Sequence, residues 1–506
     1  MDVLTNLADG FSVALLPRNL LLAFLGALVG TMIGVLPGIG PITGVAILFP
    51  LTFSLELEPA SALILLAGIY YGAMYGGSTT SILLNVPGEA SSVVTTLDGY
   101  QMARQGRAKP ALAVAAIGSF VAGTVSIIGL MAFGPLLSRL AIEFGPAEYF
   151  VLLVAALSLI SSLAGKNVFK ALIAGVFGLM LATIGVDPGS GVPRYTFGQL
   201  KLMDGVDFLV VAIGLFAVSE VLILLEQSRV GAALVPTGRR AWITMRELAF
   251  SAGAMVRGSL LGFVIGTLPG AGASISSFVS YTLERRLSDR DQTFGKGDIR
   301  GVAAPESANN AAAGGALIPL LTLGVPGSGT TAVLLGALIS MNITPGPLLF
   351  ENHPDVVWPL IASMYIGNVM LLVLNLPLVF LFVKILTVPR WILMPAVVVI
   401  SYIGVYAVNN SPFDILVMTT FGAIGYVMRK LDFPLAPVIL GLVLGVLMET
   451  NLRRALIVSD GSMSIFFASP LTRFLWVVVL GVLVGPVALS RVRKARQQVV
   501  DAEAEL

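Results

Sequence analysis

The apolar positions of this chain come in long blocks, not in the period-two alternation of strands or the one-sided stripes of soluble helices. Blocks long enough to cross a bilayer, roughly 17–25 residues, lie at 17–36, 60–86, 110–137, 147–164, 168–186, 207–226, 250–268, 303–324, 356–387, 391–408, 411–428, 434–449 and 470–490. Shorter apolar pieces at 40–55, 270–283 and 327–342 adjoin clusters of Gly and Pro and read as half-helices or re-entrant segments. The pattern predicts an all-α polytopic integral membrane protein of about 12–16 membrane helices and half-helices.

The breaks between those pieces are repeated. GTMIGVLPGIG at 30–40 returns as GFVIGTLPGAG at 262–272, an offset of 232 residues (262 − 30). Each copy is followed by a second matched break, Asn85-Val86-Pro87-Gly88 and Gly324-Val325-Pro326-Gly327. Clustered Gly and Pro weaken a helix interior. In hydrocarbon the freed backbone groups find no water, so such a break persists only inside protein or along a wet cavity. Paired breaks in two halves point to a transporter's substrate and ion site. The expected organisation is one repeat over 1–230, a second over 245–450, and a final span with a basic tail over 451–506.

Composition agrees with a membrane chain: of 506 residues, 56% are hydrophobic and only 11% charged, against about 25% charged in soluble domains. Mean hydropathy is +0.93. There is no Cys for disulfide or thiol chemistry, and the net charge of +2 carries no message about nucleic acid. Residues 1–9 are acidic and lack the features of a signal peptide, so no processing is expected. Cations are placed unevenly. None lies between Arg18 and Arg104, nor between Arg300 and Lys384. The loop after the first Leu-Pro-Gly break, 54–59, carries Glu56 and Glu58, whereas the loop after Val-Pro-Gly carries Arg104, Arg107 and Lys109. In the second half the order reverses, with Arg285, Arg286, Arg290, Lys296 and Arg300 after Leu-Pro-Gly and only Glu351 and Asp355 in 343–355. Positive loops stay inside, which makes 98–109 and 284–300 cytoplasmic, 54–59 and 343–355 external, and the repeats inverted in topology. The basic run 491–496 makes the C-terminus cytoplasmic by the same rule.

The candidate substrate site gathers the breaks and their flanks. In the first half these are Pro37, Gly38, Gly40, Ser78, Thr79, Thr80, Asn85, Pro87 and Gly88. In the second they are Pro269, Gly270, Gly272, Ser274, Asn309, Asn310, Pro326, Gly327, Ser328, Gly329, Thr330 and Thr331. Unpaired N–H groups and the positive dipole end of a half-helix suit a carboxylate, and Ser328 stands where an N-cap is expected. Hydroxyl, amide and carbonyl oxygens suit a dehydrated alkali cation, so Glu306, Ser307, Asn309, Asn85 and Thr43 are the coupling-ion candidates, with Na⁺ the only metal in view. The competing reading of single Gly, Ser and Thr residues is close helix packing with back-bonded hydroxyls. Glu306 is the sharpest residue, because an ionisable group in an apolar run is costly and faces a cavity, a partner or an ion path. Aligned on the Gly-Gly pairs, offset 238 (314 − 76), it corresponds to Gly68, and Asn309-Asn310 to Tyr71-Gly72. Glu89 and Asp98 read as mouth or loop residues, and Glu220 has no partner by spacing. Asp187-Pro-Gly189 and Asn409-Asn-Ser-Pro412 read as turns.

A single His353 leaves no material for a His-based metal site or triad, and phosphate-loop and dinucleotide motifs are absent. The chain is expected to be no enzyme and to need no cofactor, drawing energy from an ion gradient or another subunit. A channel or a scaffold subunit is the rival class. A channel also uses re-entrant breaks, but cannot accumulate substrate uphill.

Six stretches resemble the large membrane subunit of bacterial tripartite tricarboxylate transporters, the TctA family: GVLPGIGP at 34–41, YGGSTTSILLNVPGE at 75–89, DGYQMARQG at 98–106, GTLPGAG at 266–272, APESANNA at 304–311 and GVPGSGTT at 324–331. The resemblance implies a secondary active transporter of the inner membrane. It would import a citrate-like tricarboxylate or another carboxylate with Na⁺ or H⁺, by alternating access. It also implies two partners, a small TctB-like membrane subunit and a periplasmic TctC-like substrate-binding protein. A secondary transporter working without a binding protein is the alternative.

Overall fold

The computed structural model describes residues 3–36, 38–163, 167–187, 189–226, 242–379, 382 and 390–483. Seven of its helices are long and apolar enough to cross a membrane, and six more apolar helices are shorter. The chain is thus all-α and polytopic, as its hydropathy blocks predict. In order come α1 (Val3–Ala14), α2 (Pro17–Val35), α3 (Gly40–Ser54), α4 (Pro59–Leu84), α5 (Thr95–Arg104) and α6 (Ala108–Ile142). Then follow α7 (Pro146–Leu163), α8 (Val168–Ala182), the strands β1 (Gly185–Val186) and β2 (Pro193–Arg194), α9 (Phe208–Ile213) and, after a π-helical turn, α10 (Ser219–Glu226). The second half holds α11 (Met245–Gly266), α12 (Gly272–Ser288), α13 (Arg300–Gly315), α14 (Leu317–Leu323), α15 (Gly329–Ser340), α16 (Leu349–Asn352) and α17 (Pro354–Asn375). α18 (Arg390–Asn409), α19 (Pro412–Lys430), α20 (Ala436–Val458) and α21 (Pro470–Leu483) complete it. Many of these helices start at Pro, including α2, α4, α17 and α19, where the missing N–H would find no intrahelical acceptor anyway.

Two compact units form, and they do not coincide with the halves of the sequence. One comprises Met1–Ile142 with Val206–Leu431, the other Glu143–Gly205 with Asp432–Leu506. In the second unit, α8 and α20 meet through Gly178 and Gly441, each lying against the opposing backbone. The strands pair antiparallel, Gly185 with Arg194. Asp187 closes the turn between them by accepting Gly189 N–H at 2.7 Å and Ser190 N–H at 3.2 Å.

The first unit carries the breaks. Glycines fix its geometry, since small residues at four-residue spacing let membrane helices touch backbone to backbone. Gly26, Gly30 and Gly34 of α2 lie on Leu65, Ile69 and Ala73 of α4, and a Cβ on any of them would come within 3.0 Å of that backbone. Gly258, Gly262 and Gly266 of α11 lie in the same way on Ala304, Ala308 and Ala312 of α13. The members of each pair therefore run parallel. Both ladders give an offset of 239 between the central helices (304 − 65, 308 − 69, 312 − 73). Glu306 is therefore the counterpart of Ala67, and Asn309 and Asn310 of Tyr70 and Tyr71. This corrects the Gly-Gly alignment by one residue, because backbone contact fixes helix register and the identity of neighbouring glycines does not. The closing helices are exchanged: α6 packs on α13, and α17 on α4.

Candidate functional site

The glycines of the two Leu-Pro-Gly breaks share one conformation. Gly38 and Gly40 have φ of +93° and +53°, and Gly270 and Gly272 have +82° and +58°. Nothing lies within 4 Å of a Cβ placed on Gly40 or Gly272. Left-handed φ, not lack of space, is therefore what calls for Gly there. Helices α3 and α12 start at these glycines. Pro37 lies outside the described residues.

The Val-Pro-Gly breaks match as closely. Asn85 ends α4 at φ +57° and Gly324 ends α14 at φ +67°, both left-handed C-caps. After each break the chain folds back. A Cβ on Gly88 would meet Gly77 Cα at 2.6 Å and one on Gly327 would meet Ala316 Cα at 2.8 Å, contacts again 239 residues apart. The next residue is an extended N-cap in both copies, Glu89 before a 3₁₀ turn at Ala90–Ser92 and Ser328 before α15. Ser328 and Thr331 exchange bonds, Ser328 N–H to Thr331 Oγ1 at 2.8 Å and Thr331 N–H to Ser328 Oγ at 3.2 Å, as the sequence Ser-Gly-Thr-Thr predicts. Gly329 and Thr330 complete the first turn. Gly270 N–H donates to Gly327 O at 3.0 Å, which ties the two breaks of the second copy together.

The copies interlock here. α15 packs against α3, and the turn Ala90–Ser92 packs against α12. The Tyr70 hydroxyl lies beside Ser328, while Thr95 Oγ1 donates to the Glu306 carboxylate. Tyr70 and Thr95, neither of which sequence reasoning singled out, thus carry contacts from one repeat to the other. The Tyr70-Tyr71 and Tyr75 positions in a helix of small residues were the available signal.

The remaining candidates divide. Glu306, Ser307, Asn309 and Asn310 are completely buried on α13. Asn310 Nδ2 donates to Ser119 Oγ of α6 at 2.7 Å and to Asn309 Oδ1 at 2.9 Å, and Asn309 Nδ2 approaches Glu306 at 3.5 Å. Among the described residues no cation pairs with Glu306. Ser78 and Thr80 are buried in an unbroken α4 and donate to the carbonyls of Tyr75 and Gly77 at 2.8 and 3.2 Å, the back-bonding that small-residue packing implies. Thr79 and Thr43 are buried nearby in α4 and α3. Asn85 and Ser274 are exposed, and Pro87 and Pro269 are half-buried. Pro326 is buried. Glu220, which had no partner by spacing, pairs with Arg429 of α19, and its Oε1 is 2.9 Å from where a Cβ on Gly38 would lie.

Asp98, read as a mouth or loop residue, is fully buried. It accepts N–H bonds from Gly295 at 2.9 Å, Gly297 at 2.8 Å and Asp298 at 2.8 Å, and the Tyr281 hydroxyl at 2.9 Å. Gln105 adds a bond to Lys296 O at 2.7 Å. The basic loop of one half is thereby clamped to the basic loop of the other. Burial pushes Asp298 up, yet the Arg300 guanidinium and the Thr293 hydroxyl hold it below the usual carboxylate range.

The family model described as the tripartite tricarboxylate transporter TctA family matches residues 20–440, a stretch that contains all four breaks and the α13 cluster. The chain belongs to that family. It is accordingly the large membrane subunit of a tripartite tricarboxylate transporter, a multi-pass membrane protein and not an enzyme. The family works with TctB and TctC partners. One relative, the uncharacterized 52.8 kDa protein in the TAR-I ttuC′ 3′ region of Agrobacterium vitis, is 46% identical over 499 residues, 99% of both chains. Another, from the TAR-II ttuC′ 3′ region of the same organism, is 46% identical over 239 residues, 47% of this chain and 98% of its own. No solved structure matches the chain.

Proposed function

We propose that this TctA subunit imports a carboxylate, citrate-like or smaller, by alternating access, coupled to Na⁺ or H⁺ and supplied by a periplasmic TctC-like binding protein. A TctB-like subunit completes the assembly in the bacterial inner membrane, with the C-terminus cytoplasmic. The observation that carries this reading is the repetition of one backbone at both pairs of breaks. Two interlocked copies of an unwound segment, in a family of transporters, are what a substrate site between inverted repeats requires. The N-termini of α3, α12 and α15 end at the breaks, and their unpaired N–H groups favour carboxylate oxygens. The halves differ in chemistry. Ser328 opens a helix of 12 residues, whereas Glu89 opens a three-residue turn with an acid, so the substrate carboxylates belong nearer α15.

The test is counterflow in proteoliposomes over a panel of carboxylates, with the cognate binding protein present and Na⁺ exchanged for choline. Ser328→Ala combined with Thr331→Val removes both halves of the capping box, each cap being worth about 1 kcal/mol, and is expected to lower uptake by about tenfold or more. Unchanged uptake and ion dependence would remove the α15 terminus from the site. Movement only down the substrate gradient would make the protein a pore.

A further inference from the structure

The α6–α13 interface holds buried polar atoms that are not matched to partners. The Asn310 Nδ2 group has two hydrogens but three oxygens within bonding distance, Ser119 Oγ at 2.7 Å, Asn309 Oδ1 at 2.9 Å and Glu306 O at 3.1 Å. On the same side chain Oδ1 has no partner, and neither does Ser307 Oγ one turn earlier. Both residues are completely buried. Buried polar atoms are rarely left unpaired without a reason such as an ion or water. Ser307 faces the same stretch of α6, since a Cβ on Gly118 would lie 2.7 Å from its Oγ. Glu306 is the carboxylate of this cluster, joined to it through Asn309.

We infer that Ser119 of α6 and Ser307, Asn309 and Asn310 of α13 bind a dehydrated monovalent cation of Na⁺ size, with Glu306 supplying the balancing charge. The inference rests on the transporter reading above and deepens it by placing the coupling ion. Turning the Asn310 amide about χ2 brings Oδ1 to where Nδ2 now stands. The carbonyl then stands beside the Ser119, Asn309 and Glu306 oxygens, an all-oxygen cluster of the kind that replaces an alkali ion's hydration shell. Hydroxyls serve as ligands through their lone pairs while their protons point outward. Because α6 closes the first repeat and α13 is the central helix of the second, the ion bridges the two copies.

Binding of radiolabelled Na⁺ to the purified full chain, without carboxylate, tests the site apart from transport. Saturable binding that excess K⁺ does not displace is expected. Ser119→Ala and Asn310→Ala are each expected to weaken it by about tenfold or more, about 1.4 kcal/mol or more, while Ser119→Thr, which keeps the hydroxyl, retains it. Melting in choline checks that each variant is folded; if the alanine variants fail, Ser119→Val and Ser119→Thr form the isosteric comparison. Wild-type affinity in the folded Ser119 and Asn310 variants overturns the placement, and so does the absence of saturable Na⁺ binding. Failed counterflow with Na⁺ binding intact would sink the carboxylate reading and leave this site standing.

Discussion

Two kinds of glycine serve two purposes in this protein, and substitution separates them. Gly30 is helical and pressed on the Ile69 backbone, with no room for a side chain. Gly40 has open space but a φ of +53°. Alanine costs something at both, about 1–3 kcal/mol for overpacking at Gly30 and about 1–2 kcal/mol for left-handed backbone at Gly40. Asparagine tolerates the left-handed region, so the order of the two substitutions should reverse. Gly40→Asn is expected to melt above Gly40→Ala in detergent, while Gly30→Asn melts below Gly30→Ala. Equal ordering at both sites would refute the distinction. At this scale the sequence was informative about Glu306, Asn309 and Asn310, because polar residues in an apolar run stand out. It was silent on Thr95, Ser119 and Arg429, whose partners lie 211, 191 and 209 positions away and whose pairing depends on tertiary packing.

Helices and turns were legible where backbone chemistry is local. The left-handed C-caps at Asn85 and Gly324, the Ser328 cap and the Asp187 turn all follow from which residues can take a given φ or bond a neighbouring N–H. The short helices α1 and α5 were not, since neither carries an apolar block of spanning length. Span ends also shifted: α20 continues to Val458, beyond Glu449 where its hydropathy block ended and through Arg453. Those charges hold the β1–β2 hairpin. Arg453 reaches Asp187 at 2.9 Å, and Arg194 meets Glu449 with two bonds of 2.8 and 3.1 Å. The Gly189 N–H, first among several donors, holds the Asp187 carboxyl down at about 2, against an ordinary 3.8. A depressed folded value stabilises the hairpin above pH 4 and loses that contribution as pH falls toward 2. The protection of the Gly189 and Ser190 amides, taken relative to the intrinsic exchange rate at each pH, should therefore hold at pH 5 and fall as acid approaches pH 2, and Asp187→Asn should lose that pH dependence. A wild-type profile in the variant would assign the protection to another group.

For the whole molecule, charge alone groups loops that are far apart in sequence. The uneven placement of Lys and Arg assigns 98–109 and 284–300 to one side, and in the structure Asp98, Gln105 and Arg107 bond to Gly295, Lys296, Gly297 and Asp298. Positive-inside bookkeeping reaches over such distances because it counts the Lys and Arg of each loop, whatever the separation in sequence. What it could not reveal is the exchange of α6 and α17 between copies, or the division into two units that cut across the halves, since both depend on side-chain fit. The natural chain has no Cys, so single introduced cysteines test the inverted arrangement without background. Arg104, Lys296, Glu56 and Glu351 are all exposed. In intact cells an impermeant thiol reagent is expected to label Glu56→Cys and Glu351→Cys but to leave Arg104→Cys and Lys296→Cys unmodified until the membrane is opened. The two pairs occupy opposite orders in the two halves, so a repeat of parallel topology would label Glu56→Cys and Lys296→Cys together. That outcome would leave the breaks where they are and remove the symmetry that makes them one site.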